Sequence, residues 1–459
     1  MNADDDDFTP PSEENRFGGR VRRYARVGAS AGKLAARLAT GKVFGGEIDH
    51  AKYAAELTSA LGGLKGPLMK VAQILSTIPD ALPKEYTQAL AQLQADAPSM
   101  GWLFVKRRMR SELGAGWQSN FTEFSHDAVA AASLGQVHKA TLPDGREVAC
   151  KLQYPDMSAT VEADLKQLRA AFAIYKRYDS AIDAENIQNE LTARLREELD
   201  YAREAKHMRL YGDMLAGENT VHVPEPVDGL TTGRLLTMTW QNGQKFQKFL
   251  DGNPDQDARN QVALNMFRAW YVPFYRYGVI HGDPHLGNYT LRDDLSVNLL
   301  DFGCIRIFKP DFVKAVITLY EALRDKDEEK AVSAYESWGF EAPSRELIDV
   351  LNIWASFVYG PILDDRERKM GETNSVAYGA EVAAKVHQEL RRVGGVKPPR
   401  EFVLVDRAAV GLGAVFLRLD AHVNWYRLFH DLVGDFDVSE LESRQKKALD
   451  LIGLERPED

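Results

Sequence analysis

The stretch "GVIHGDPHLGNYTL" at 278–291, followed by "VNLLDFG" at 297–303, decides the fold. Asp283 is followed five residues later by Asn288 and eighteen residues later by Asp301. Phosphoryl transfer to a hydroxyl needs a carboxylate near the nucleophile and oxygen ligands for a magnesium ion that bridges phosphates. Asp283 has the place of the base, and Asn288 and Asp301 offer the hard oxygens that magnesium prefers. Gly303 behind the second carboxylate permits backbone conformations that other residues resist. His281 and His285 flank Asp283. Because magnesium prefers oxygen, His281 is expected to orient the loop, and the role of His285 stays open.

A site of this kind also needs a strand lysine for the α- and β-phosphates and a helical acid to hold that lysine. Lys151 in "EVACKLQYP" (147–155) fits, since alternation sends Val148 and Cys150 to the opposite face. The acid is expected in "REELDYAREAKH" (196–207), which offers Glu197, Glu198, Asp200 and Glu204. On one continuous helix Asp200 and Glu204 share a face and Glu198 lies well away from Asp200, so two different cations are served. In "GPLMKVAQIL" (66–75), Lys70 and Gln73 stand three apart on a helical face and read, by themselves, as surface residues. Upstream of Lys151, "AVAAASLGQVH" (128–138) has the place of a phosphate loop with alanines where glycines usually stand.

Around these motifs the chain changes period. Residues 1–15 are acidic and polar; the next segment carries Arg16, Arg20, Arg22, Arg23 and Arg26 among apolar residues at helical spacing. Such a basic amphipathic helix over 16–42 suits an anionic membrane surface, or packing on the protein itself with a solvated charged face. Helices are expected over 50–115, 159–178, 183–215 and 260–277, and throughout the chain after 311. Strands are expected over 121–153, with Asp144-Gly145 as a hairpin turn, and over 233–240. Strands first and helices afterwards is an α+β arrangement of two lobes. A net charge of −10 argues against a nucleic-acid partner, and two cysteines cannot frame a disulfide-stapled fold. No apolar run approaches the ~20 residues that span a bilayer, and the acidic start is unlike a transit peptide. The expected location is cytoplasmic.

Taken in order, "LMKVAQILSTIPDALP", "VAAASLGQVH", "VACKLQYP", "EELDYAREA", "HGDPHLGN" and "LLDFG" resemble the UbiB/ADCK family of atypical protein-kinase-like proteins. The resemblance runs from about Arg16 to past residue 420, and the N-terminal segment is most like the coenzyme Q branch. It implies a two-lobed kinase-like fold with a helical N-terminal extension: a tail over 1–15, the extension over 16–120, a β-rich lobe over 121–240 and a helical lobe over 241–459. It implies that Lys70 and Gln73 belong to a K-x-G-Q motif packed over the substrate site, with Glu198 and Asp200 as the E-x-D motif that Lys70 pairs with. Lys151 then pairs with Glu204, Ala130, Ala131, Ala132 and Ser133 form the nucleotide loop, and Met238 sits at the hinge. ATP or ADP with Mg²⁺ at Asn288 and Asp301 is the implied ligand set. ATPase activity, a role in ubiquinone or isoprenoid-lipid biosynthesis, and lipid or quinone-biosynthesis enzymes as partners follow from the same resemblance. Ala72 replaces the glycine of K-x-G-Q, Thr239 stands where the branch often has an acid, and no membrane-spanning tail is evident, so contact at the inner membrane surface is expected to be peripheral.

Two other readings fit part of the sequence. A small-molecule phosphotransferase of the aminoglycoside or choline kinase type accounts for Asp283, Asn288 and Asp301 but gives Lys70, Gln73 and the alanines no role. A nucleotide-gated scaffold that binds lipid or partner enzymes uses the same residues without catalysis.

Overall fold

The computed structural model describes residues 100–456 except 133, 163–164, 167–184 and 373–375. The expected extension before residue 100, including Lys70, Ala72, Gln73 and the basic helix, lies outside the described residues, as does Ser133. All described residues fall within one of the chain's two compact units, whose main span is Pro98–Asp459.

The smaller lobe is a five-stranded antiparallel sheet. Strands β1 (Glu123–Phe124) and β2 (Ala130–Ala132) share one edge of β3 (Gly135–Thr141). β3 pairs with β4 (Glu147–Gln153) around a turn in which Gly145 has φ of 85°. Helix α1 (Trp102–Leu113) packs Val105 and Met109 on one face of the sheet, with Trp117, Val148, Cys150 and Leu152. This helix lies within the span expected for the extension, and its apolar stripe completes the sheet's core. Both cysteines are buried and free, and burial pushes the Cys150 thiol up to about 12.

The expected single helix over 183–215 is two helices, α2 (Glu185–Glu197) and α3 (Tyr201–Met214). Asp200 causes the break: it leaves the helical conformation and its carboxylate accepts the Arg203 N–H at 3.1 Å as the N-cap of α3. The Asp200 side chain is therefore spent on the cap, and Glu204 stands in the first turn of α3. After β5 (Val221–His222), strand β6 (Leu235–Thr239) closes the small sheet against β4.

The larger lobe is helical, with one small four-stranded sheet. Strand β7 (Gln244–Lys245) leads into α4 (Phe246–Asp251) and then α5 (Gln256–Tyr277), whose Met266, Trp270 and Phe274 run through the main core. Strand β8 (Val279–His281) precedes the loop that carries Asp283; β9 (Tyr289–Leu291) and β10 (Val297–Leu299) follow, and β11 (Ile305–Ile307) returns to pair with β8. Helices α6 (Pro310–Asp325), α7 (Glu328–Ser337) and α8 (Arg345–Tyr359) come next. They are followed by α9 (Val376–Arg392), α10 (Arg400–Leu419), α11 (Trp425–Val433) and α12 (Val438–Ile452). Among the described residues no helix is long and apolar enough to cross a membrane.

Candidate active site

The Asp283 loop and the Asp301 segment are adjacent because β8 and β11 are paired, Ile305 opposite His281. Three further bonds stitch them: Gly282 N–H to Cys304 O at 2.7 Å, Leu300 N–H to Asn288 O at 2.8 Å, and His281 Nε2 to Asp301 O at 2.6 Å. The Asp283 N–H donates to His281 Nδ1 at 3.2 Å, so Nε2 carries the proton and donates to Asp301 O. His281 is 1% exposed and bonds both motifs. His285 faces its own turn, accepting the Gly287 N–H at 3.1 Å.

Asn288 Nδ2 donates to Asp283 O at 3.0 Å, so its side-chain oxygen is the atom that could meet a cation. Asp301 Oδ1 accepts the Gly303 N–H at 3.0 Å, and Oδ2 lies 3.2 Å from Lys151 Nζ. An amide oxygen and a carboxylate are hard donors, so the pair fits Mg²⁺. Among the described residues there is no cluster of three His, Cys, Asp or Glu of the kind transition metals favour.

Lys151 joins the lobes. Its ammonium bonds Glu204 Oε1 at 2.8 Å and Oε2 at 3.0 Å, and lies 5.1 Å from the Tyr201 ring centroid. Burial opposes the charge, yet Asp301 and Glu204 outweigh it and hold the Lys151 pKa well above its ordinary value. Burial raises the Glu204 carboxyl against the pull of Lys151. Glu204 sits in the first turn of α3, where the helix N-terminus favours negative charge. The residues alone left four acids open; Glu204 is the one that reaches Lys151.

The remaining acids go elsewhere. Glu197 bonds Arg306 at 2.6 Å and Arg203 at 3.1 Å. Glu198 lies against Gly303: a Cβ on that glycine would stand 3.6 Å from Glu198 Cγ. Asp200 is committed to its cap. Ala130, Ala131 and Ala132 are not a loop but a strand, paired with Val137, Gln136 and Gly135. Cross-strand pairing with β3 outweighs their weak intrinsic strand preference. Met238 is 6% exposed on β6 opposite Ala149, and the Thr239 N–H donates to Glu225 O at 2.9 Å.

Sequence reasoning missed three supports. Buried Glu190 holds Arg194, Arg306 (3.2 Å) and Arg400, binding α2 to β11 and α10. His207 contacts Phe302 O through Nδ1 at 3.2 Å, from inside the core. Arg407 lies 3.6 Å from Asp283. Apart from Glu190–Arg194, one turn apart on α2, each contact joins residues distant in sequence, so no local spacing marks it.

Residues 92–335 match the ABC1 atypical kinase-like domain. The atypical kinase COQ8 of Saccharomyces cerevisiae mitochondria is 26% identical over 82% of this chain and 75% of its own length. Coq-8 of Caenorhabditis elegans is 25% identical over 82% of this chain, which spans about half (50%) of that protein. The structure of Rv3197 from Mycobacterium tuberculosis, solved in complex with erythromycin, superimposes with a TM-score of 0.57 at 27% identity, over 86% of this chain and 98% of the other. The fold is kinase-like, and since the matched domain covers more than half of the sequence, the chain belongs to the ABC1 atypical kinase-like family, the UbiB/ADCK group that its motifs resemble.

Proposed function

We propose that the protein binds ATP with Mg²⁺ and cleaves or transfers its γ-phosphoryl group in support of ubiquinone or another isoprenoid-lipid pathway. The observation that carries this reading is the convergence of Lys151, Glu204 and Asp301, from three separate stretches of sequence, within 3.2 Å of one ammonium. Lys151 would hold the α- and β-phosphates, oriented by Glu204. Asn288 and Asp301 would hold the metal, which supplies neutralising charge to the phosphates when bound. Asp283 accepts the proton of an attacking water or hydroxyl, and His281 keeps its loop in register with Asp301. The hinge around Met238 and the strand Ala130–Ala132 would flank the nucleotide.

The pathway assignment draws on the COQ8 relatives, and the acceptor beyond water is a lipid or a lipid-modifying enzyme in this reading. Lys70 and Gln73 would regulate nucleotide use, and residues 16–42 would bind an anionic membrane surface. The similar structure solved in complex with erythromycin favours a second reading, in which a small lipophilic molecule is the acceptor rather than a polypeptide. The test is Asp283→Asn in the full chain. ATP hydrolysis should fall by roughly 10²-fold or more, with nucleotide binding retained and quinone synthesis lost in a deletion strain. Rescue of that strain by a hydrolysis-dead variant would establish a nucleotide-gated scaffold instead.

A further inference from the structure

Helix α10 sets two residues one turn apart against two consecutive residues of the Asp283 loop. Arg407 Nη2 lies 3.6 Å from Asp283 Oδ1, and each side chain is only 10% exposed. Four residues on, Gly411 abuts Pro284 so closely that a Cβ there would stand 2.5 Å from the ring's Cγ. Positions i and i+4 share a helical face, so a single face of α10 is the seat of the loop.

The charges around Arg407 point the same way. Its Nε is buried with no hydrogen-bond acceptor, and among the described residues its one ion pair is with Asp283. The neighbouring acid, Asp406, is bound to Trp354 Nε1 at 2.6 Å on α8, and Arg400 is committed to Glu190. The acid that the Arg407 guanidinium faces is therefore the candidate base.

We propose that Arg407 is a positioning residue that aims the Asp283 carboxylate, with α10 as the rigid seat that fixes the loop's height. This rests on Asp283 being the base. Arg407 touches neither nucleotide nor metal in this role and acts through the carboxylate.

The experiment uses the full chain and compares Arg407→Ala, Arg407→Lys, Gly411→Ala and Asp283→Asn, with the double variant Arg407→Ala/Asp283→Asn. Misplacing a reacting group by about 1 Å can cost roughly 10²-fold, so the kcat of ATP hydrolysis should fall about 10- to 100-fold in Arg407→Ala. Nucleotide Kd should stay within about threefold, because the phosphate-binding residues are untouched. Guanidinium ion at millimolar concentration should restore part of the Arg407→Ala turnover and none of the Gly411→Ala turnover, and Arg407→Lys should lie between wild type and Arg407→Ala. In the Asp283→Asn background, loss of Arg407 should cost nothing further. A parallel loss of nucleotide affinity and thermal stability without guanidinium rescue overturns the proposal, as does an additive double variant. Where Asp283→Asn turnover is too low for the cycle, the guanidinium rescue decides alone. If Asp283→Asn retains wild-type turnover, the base assignment itself fails, whichever way Arg407 behaves.

Discussion

Acidification should destabilise this fold through His207. The imidazole on α3 is 3% exposed, and its Nδ1 donates to Phe302 O, the carbonyl between Asp301 and Gly303. Burial, reinforced by the nearby Arg203 and Arg194 guanidiniums, pushes its pKa from 6.5 to about 4. The unfolded chain therefore takes up a proton near pH 6.5, and the folded chain does so only near pH 4. The His207 contribution is complete above the unfolded pKa and is lost as the pH falls through this window, a change of about 3 kcal/mol at 1.36 kcal/mol per unit. Asp406 acts in the opposite sense. Burial pushes its carboxyl up to about 6 against the Trp354 hydrogen bond, so folding favours its protonated form and stability is lost as the pH rises from 3.8 to about 6. Because Asp406 is partly exposed, its effect is the smaller. The two contributions partly cancel in the wild type, so the informative quantity is a difference between variants. Urea unfolding of wild type and His207→Gln at pH 7.5 and 4.5 isolates His207, since Asp406 is common to both. The wild-type advantage should shrink by about 2.5 kcal/mol across that interval. A difference that moves by less than about 1 kcal/mol would refute a neutral, buried His207 as the anchor of Phe302.

Glu204→Gln should cost about 3 kcal/mol in urea unfolding, the low end for breaking a buried pair, because Asp301 still faces Lys151 at 3.2 Å. The same variant should weaken ATP binding about tenfold by calorimetry; unchanged affinity would mean that Glu204 does not orient Lys151. Gly135→Ala should destabilise by about 3 kcal/mol or more, since its Cβ would lie 2.2 Å from the Leu152 carbonyl oxygen, which the sheet holds in place. Gly233→Ala, with no atom within 4 Å, is the control and should change stability by less than about 0.5 kcal/mol. Ala131→Gly loosens β2 by roughly 0.5–1 kcal/mol, so the ratio of ATP to ADP affinity should change about threefold; an unchanged ratio would make the alanines packing residues only.

What could be read in the sequence, and what could not, divides by the range of the constraint. Asp283, Asn288, Asp301 and Lys151 were legible because phosphoryl-transfer chemistry restricts both the residue types and their spacing, and alternation alone fixed which way Lys151 points. Glu204 was ambiguous among its neighbours, since choosing it required knowing that Asp200 would break the helix to cap α3. The alanines show the same limit: the sequence places them in a loop, and only register with β3, Ala132 opposite Gly135, makes Ala130–Ala132 a strand. Arg407, His207 and Glu190 had no signature at all. Each satisfies a partner that tertiary structure delivers, and many residue types are compatible with their local sequence. The chemistry-bearing groups are thus specified by short motifs, while their aim is specified by solitary residues on distant helices. Arg407 on Asp283, His207 on Phe302 and Glu190 on Arg306 each hold one of the two loops that must meet. Substitutions at these supports should then leave the motifs intact and still lower turnover. An activity difference between two chains with identical motifs is therefore to be sought first in α3, α2 and α10.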